Sequence, residues 1–187
     1  MGWDLAASLV AAVAVGSRLV RLPSLHVGSV LVVYVAVGLL GYEYTLFLPG
    51  LVLLLVSGVA SAFTLLATTG TPEPPLTPAD LLQSAGALVV TVLMAYLVTR
   101  SIELTQSPRL DGTLVWLSVS GLMNLVIQVP RSVKVTGLLW LVLATYTGFW
   151  VLMPHAGLVS LAALAIFCVS TAFLASVGVK TQAVGSG

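Results

Sequence analysis

Long apolar runs broken by short polar interruptions dominate this chain. The clearest stretch is 27–68, VGSVLVVYVAVGLLGYEYTLFLPGLVLLLVSGVASAFTLLAT, with a single ionisable acid, Glu43, between two apolar runs. Each run is long enough to cross a hydrocarbon core of ~30 Å, which takes roughly 17–25 helical residues. The only natural turn is Gly41-Tyr42-Glu43-Tyr44. The pattern predicts a transmembrane helical hairpin. Because the runs are continuously apolar, they lack the alternating polarity that a β-barrel strand of about ten residues would show.

The same pattern extends along the chain and predicts an all-α, polytopic transmembrane bundle of about seven spans, at 4–22, 23–42, 45–68, 80–99, 112–129, 135–153 and 158–179. The apolar part of the first span is short, with Arg18 and Arg21 placed to snorkel to the interface. Pro23 stands where a second helix starts and its missing N–H costs little. Residues 69–79, rich in proline and threonine, predict an irregular loop, with Thr77 and Asp80 at capping-box spacing, though Glu would suit that motif better. Arg100, Glu103, Arg109 and Asp111 mix their signs and read as a solvated connector. Pro130, Arg131 and Lys134 read as a short basic turn. Residues 1–187 thus form one integral membrane domain. Its parts are a first three-helix unit (1–68), a loop (69–79), a linker helix with its connector (80–111), and a second three-helix unit with its tail (112–187).

Composition agrees with this class: 59% of residues are hydrophobic and 7% charged, against roughly a quarter charged in soluble domains. Mean hydropathy is +1.13. The scattered basic residues give a net charge of +1 and no nucleic-acid surface. The single cysteine, Cys168, leaves no intrachain disulfide or CxxC site. The start, Met1-Gly2-Trp3-Asp4, lacks a basic signal-peptide region, and Ala6 breaks the myristoylation pattern, so the first run is expected to be retained.

The cationic loops set an orientation. Arg18, Arg21, Arg131, Lys134 and Lys180 fall on one side of a seven-span layout, and Arg100 and Arg109 on the other. The positive-inside rule then predicts a cell-membrane protein with its N-terminus outside and its C-terminus cytoplasmic. Arg18, Arg21, Arg131 and Lys134 are the expected cytoplasmic anchors. Basic turn, tight hairpin and small-residue helix recur in both halves, with Val59-Ala-Ser-Ala-Phe63 answered by Val169-Ser-Thr-Ala-Phe173. This suggests a parallel 3+1+3 repeat.

Chemistry-bearing residues are few. No ionisable residue falls mid-span, the usual marker of a proton or ion pathway. Glu43 is a candidate interfacial acid, with a solvated turn residue as the plainer reading. His26 and His155 fall on opposite sides of the layout and cannot share one metal or haem. No HExxH, phosphate loop or hydrolase elbow is present. No cofactor, metal or catalytic residue is expected. Asn124 and Gln128, one turn apart, share a face of the fifth span with Ser120 in the turn before. Such a face either makes interhelical contacts or lines a polar pathway.

The basic turn Arg18-Leu-Val-Arg21, the span and aromatic turn after it, and the run Leu51-Val-Leu-Leu-Leu-Val-Ser-Gly-Val-Ala60 carry a resemblance. On these features the first half resembles the small hydrophobic membrane-arm subunits of complex I-like machines, including those of NADH–quinone oxidoreductase and of ion-translocating membrane-bound hydrogenases. Val56 and Ser57 stand where one such family has a tyrosine before the glycine. The resemblance implies a scaffold or coupling subunit of a redox-driven ion pump, with no cofactor of its own. The three-one-three layout is also similar to that of parallel-repeat sugar transporters, though Gln128-Val-Pro130 does not reproduce their proline–glutamine pair.

The reading is therefore a non-catalytic integral membrane subunit of a multi-subunit complex, a redox-driven proton or ion translocator being the candidate. The lipid bilayer and other membrane subunits are its expected partners. The alternative is a small-solute transporter with its path between the two three-helix units and Asn124 and Gln128 facing it.

Overall fold

Five long helices carry the architecture of the computed structural model, which describes residues 13, 16, 23–67, 77–101, 105, 107–127, 131–153, 158–167, 169–170 and 173. They are α1 (Pro23–Thr45), α2 (Leu48–Ala67), α3 (Pro78–Ser101), α4 (Pro108–Val126) and α5 (Arg131–Leu152). A ten-residue apolar helix, α6 (Leu158–Phe167), follows. The described residues contain no strand.

Helix boundaries follow local chemistry. Pro23 opens α1, and Pro49-Gly50 lies in the first turn of α2, where proline displaces no intrahelical hydrogen bond. At the start of α3 the Thr77 N–H donates to Asp80 Oδ2 at 2.9 Å, and the Asp80 N–H donates to Thr77 Oγ1 at 3.2 Å. The capping box thus closes with aspartate in place of glutamate. Ser107 caps α4, with Pro108 beginning the helix and the Leu110 N–H reaching Ser107 Oγ. Arg131 to Lys134 form the first turn of α5, not the separate basic turn expected from the sequence. The hairpin turn is displaced too. The helix carries on through Glu43 to Thr45, and only Leu46 and Phe47 separate α1 from α2.

Packing centres on α5. It lies against α4 most extensively and also against α1 and α2, while α3 rests on α4. Trp140 and Trp150 of α5 are fully enclosed. Glycines allow close contacts between four helix pairs. Trp150 covers Gly41 and Gly50, and Tyr34 lies on Gly58, each too close for a Cβ. Between α4 and α5, a Cβ on Gly121 would stand 2.7 Å from the Gly137 carbonyl oxygen. The backbones meet there. Close approach through small residues is how helices associate when lipid gives no hydrophobic drive toward a core.

The polarity of the bundle agrees with that. Leu25, Val32, Val35 and Leu39 form an exposed stripe on α1, and Val52, Val56, Val59, Phe63 and Leu66 one on α2. On α3 the buried residues are Ser84, Ala87, Thr91 and Ala95, spaced three or four apart, while Leu82, Val89, Leu93 and Leu97 are exposed. On α3 the large apolar side chains therefore face outward and the small or hydroxylated ones inward. Buried hydroxyls turn to their own helix: Thr91, Thr113 and Thr136 each donate to the carbonyl four residues back.

Among the described residues four helices are long and apolar enough to cross a membrane, over Leu25–Thr45, Leu48–Leu66, Pro78–Val98 and Ser132–Leu152. Helix α4, which holds residues 112–126 of the predicted fifth span, is not among them; it carries Arg109 and Asp111 in its first turn and Asn124 near its end. The predicted first span lies outside the described residues except for Val13 and Gly16, and the described part of the last is the ten-residue α6. The described residues therefore give four spanning helices, short of the expected seven, and do not establish the 3+1+3 repeat.

Candidate functional site

The polar face predicted on the fifth span lies in the α4–α5 contact. Ser120 and Asn124 are both buried. A Cβ on Gly137 would stand 2.6 Å from Asn124 Cβ, so the Asn124 side chain passes directly over the α5 backbone. Gln128 lies outside the described residues. Asn124 thus lies at the α4–α5 contact, with Ser120 buried one turn before it.

Register extends the site onto α5. The helices are antiparallel, with Gly121 against Gly137 and Leu141, and Gly148 nearest Leu114. These contacts put Asn124 level with Thr136, Ser120 with Trp140, and Thr113 with Thr147. At about 100° per residue, each of the six lies about 60–100° to one side of the line joining the two helices, and it is the same side for both. All six are buried. Trp150, three residues beyond Thr147, meets Gly41 of α1, and α1 also touches α4, so α1 closes over this side.

Hydrogen bonding within this polar ladder is uneven. Thr113 and Thr136 donate to Arg109 O at 2.9 Å and Ser132 O at 2.8 Å, leaving their oxygens as acceptors. Trp140 Nε1 and Thr147 Oγ1 are buried without a hydrogen-bond partner. A buried donor left unpaired costs about 1–3 kcal/mol.

A second polar cluster ties the hairpin turn to α4. Ser107 Oγ donates to the Tyr44 hydroxyl, joining the end of α1 to the cap of α4. Asp111 is buried in the first turn of α4, where it accepts the Thr105 N–H at 2.8 Å on Oδ1. A carboxylate is favoured there by the helix dipole. The expected solvated connector is thus corrected at Asp111, while Arg109 is exposed and Arg100 sits 4.7 Å from the centre of the Tyr96 ring. Sequence spacing gave Asp111 away only in one respect: it stands four residues after the serine of Ser107-Pro108, a helix start. At the same end Tyr146 donates to the Gly50 carbonyl at 3.1 Å.

Glu43 is exposed on the last turn of α1. Lys134 is exposed and Arg131 opens α5, both at the end remote from Tyr44. Arg18, Arg21, His155 and Cys168 lie outside the described residues, and His26 is buried near the start of α1. The described residues, all-helical in their regular structure and with four helices of membrane-spanning length, fit a membrane protein. Comparison with protein-family models, with curated proteins and with solved structures finds no match.

Proposed function

We propose that the chain is a non-catalytic integral membrane subunit of a multi-subunit complex, with redox-driven ion translocation as the candidate activity of the whole. The observation that carries this reading is the state of α3. One narrow seam, Ser84, Ala87, Thr91 and Ala95, holds it to α4, and most of its remaining circumference is exposed. A helix so placed is available to another membrane subunit as well as to lipid. The reading includes a multi-pass arrangement of about seven spans in a 3+1+3 pattern, an outside N-terminus and a cytoplasmic C-terminus, from the charge pattern.

Purification of a tagged copy in mild detergent tests it. Light-scattering mass and mass spectrometry should find other membrane proteins bound in fixed ratio. A stable monomer without co-purifying subunits overturns the proposal.

The transporter reading keeps one supporting observation, the six buried polar side chains on one side of α4 and α5. Uptake into proteoliposomes by this chain alone would favour it over the subunit reading.

A further inference from the structure

We infer that the polar side of the α4–α5 pair is a hydrated lane inside the bundle, with water as its ligand. The inference is independent of whether the chain works alone or in a complex. It starts from the register, which pairs Thr113 with Thr147, Ser120 with Trp140 and Asn124 with Thr136 on one side of the two helices, beneath α1. The lane runs for about three helical turns, some 16 Å at 1.5 Å per residue.

Two independent facts point to water as the occupant. Trp140 Nε1 and Thr147 Oγ1 are completely enclosed donors with no partner, at two of the three levels. The hydroxyls of Thr113 and Thr136 donate to their own helix and so present acceptors to the lane. The lane thus holds both donors and acceptors, and a molecule able both to donate and to accept satisfies them. Among the described residues the ionisable side chains of this pair lie elsewhere, with Asp111 on the opposite side of α4 and Lys134 exposed. A neutral ligand therefore suits the lane better than an ion. Buried water typically makes about three hydrogen bonds to such groups.

Trp150 is an internal comparison. Its Nε1 is also buried and unpartnered, but that atom lies against the Cβ position of Gly50, about one turn beyond Thr147 and the last polar level of the lane. The full chain, labelled with ¹⁵N-tryptophan in nanodiscs, should show magnetisation transfer from water to the Trp140 indole proton and not to that of Trp150. Trp140→Phe and Trp150→Phe assign the signals. A dry Trp140 overturns the inference. So does equal transfer to both, which would mean general penetration by solvent.

Thr147→Val gives a second measurement that needs no assignment. If the hydroxyl is bound to water, the isosteric valine strands that water and lowers the thermal midpoint, by about 2–5 °C for a chain of this size. If the hydroxyl is dry, the valine removes an unpaired donor and raises the midpoint. A raised midpoint also overturns the lane.

Discussion

The α4–α5 crossing is the contact on which the rest of the bundle is registered, and Gly121→Ala tests it directly. The added Cβ would stand 2.7 Å from the Gly137 carbonyl oxygen and 2.8 Å from Leu141 Cγ. The first is a backbone atom, so relief requires the helices to separate. Overpacking of this kind costs about 1–3 kcal/mol, against which alanine returns up to about 1 kcal/mol of helix propensity. Gly86 on α3 supplies the control. Nothing lies within 4 Å of its Cβ position, so Gly86→Ala should show the propensity gain alone. The two variants should therefore differ by about 1–3 kcal/mol, or about 2–12 °C in the midpoint at roughly 2–4 °C per kcal/mol. Thermal unfolding of purified protein in one detergent, followed by tryptophan fluorescence, measures the difference. If Gly121→Ala is as stable as Gly86→Ala, the backbones do not meet at Gly121 and Gly137. The pairing of Ser120 with Trp140 would fall with it.

Other substitutions probe separate links. Tyr146→Phe removes the hydrogen bond to the Gly50 carbonyl and should cost about 0.5–1.5 kcal/mol in the same assay; an unchanged midpoint would show that α5 is not tied to α2 there. Thr77→Ala opens the capping box at α3 and should cost about 0.5–2 kcal/mol, with faster amide exchange confined to the first turn. Leu46 has φ 49°, a left-handed conformation that disfavours side chains. Leu46→Gly should therefore leave stability unchanged or raise it by up to about 1 kcal/mol, and a clear loss would refute the turn geometry. Tested singly in a membrane-insertion reporter, the α2 and α3 segments should insert efficiently. The α4 segment should insert only when α5 follows it, since Arg109, Asp111 and Asn124 are costly in lipid without a neighbour.

Helix type and the main breaks were legible in the sequence because they depend on nearby residues. Pro23 and Pro49 mark helix starts and the apolar runs have spanning length, whereas α4 begins at Pro108, four residues before the expected start at 112. The turn at Tyr42–Tyr44 was misplaced by a few residues. Glycine and glutamate in an apolar run look like an interruption, yet α1 continues to Thr45 and Leu46 makes the turn in a conformation leucine rarely adopts. Asp111 was misread for a similar reason. Its neighbour Arg109 suggests solvent, but the carboxylate is turned inward by the cap at Ser107 and held by the Thr105 N–H.

The face of Ser120 and Asn124 was visible from spacing on one helix, and its role was not. Periodicity tells which residues share a side of a helix. It does not tell which helix faces that side, because this depends on pairs distant in sequence. Only the tertiary structure brings Gly121 to Gly137 and so lays Thr136, Trp140 and Thr147 beside Thr113, Ser120 and Asn124. By itself the sequence determined the solvent for which the chain is made, since long apolar helices with few charges leave little choice. The tertiary structure decided which small and polar residues are shared between helices, since in lipid that choice is made by close packing and hydrogen bonding rather than by hydrophobicity.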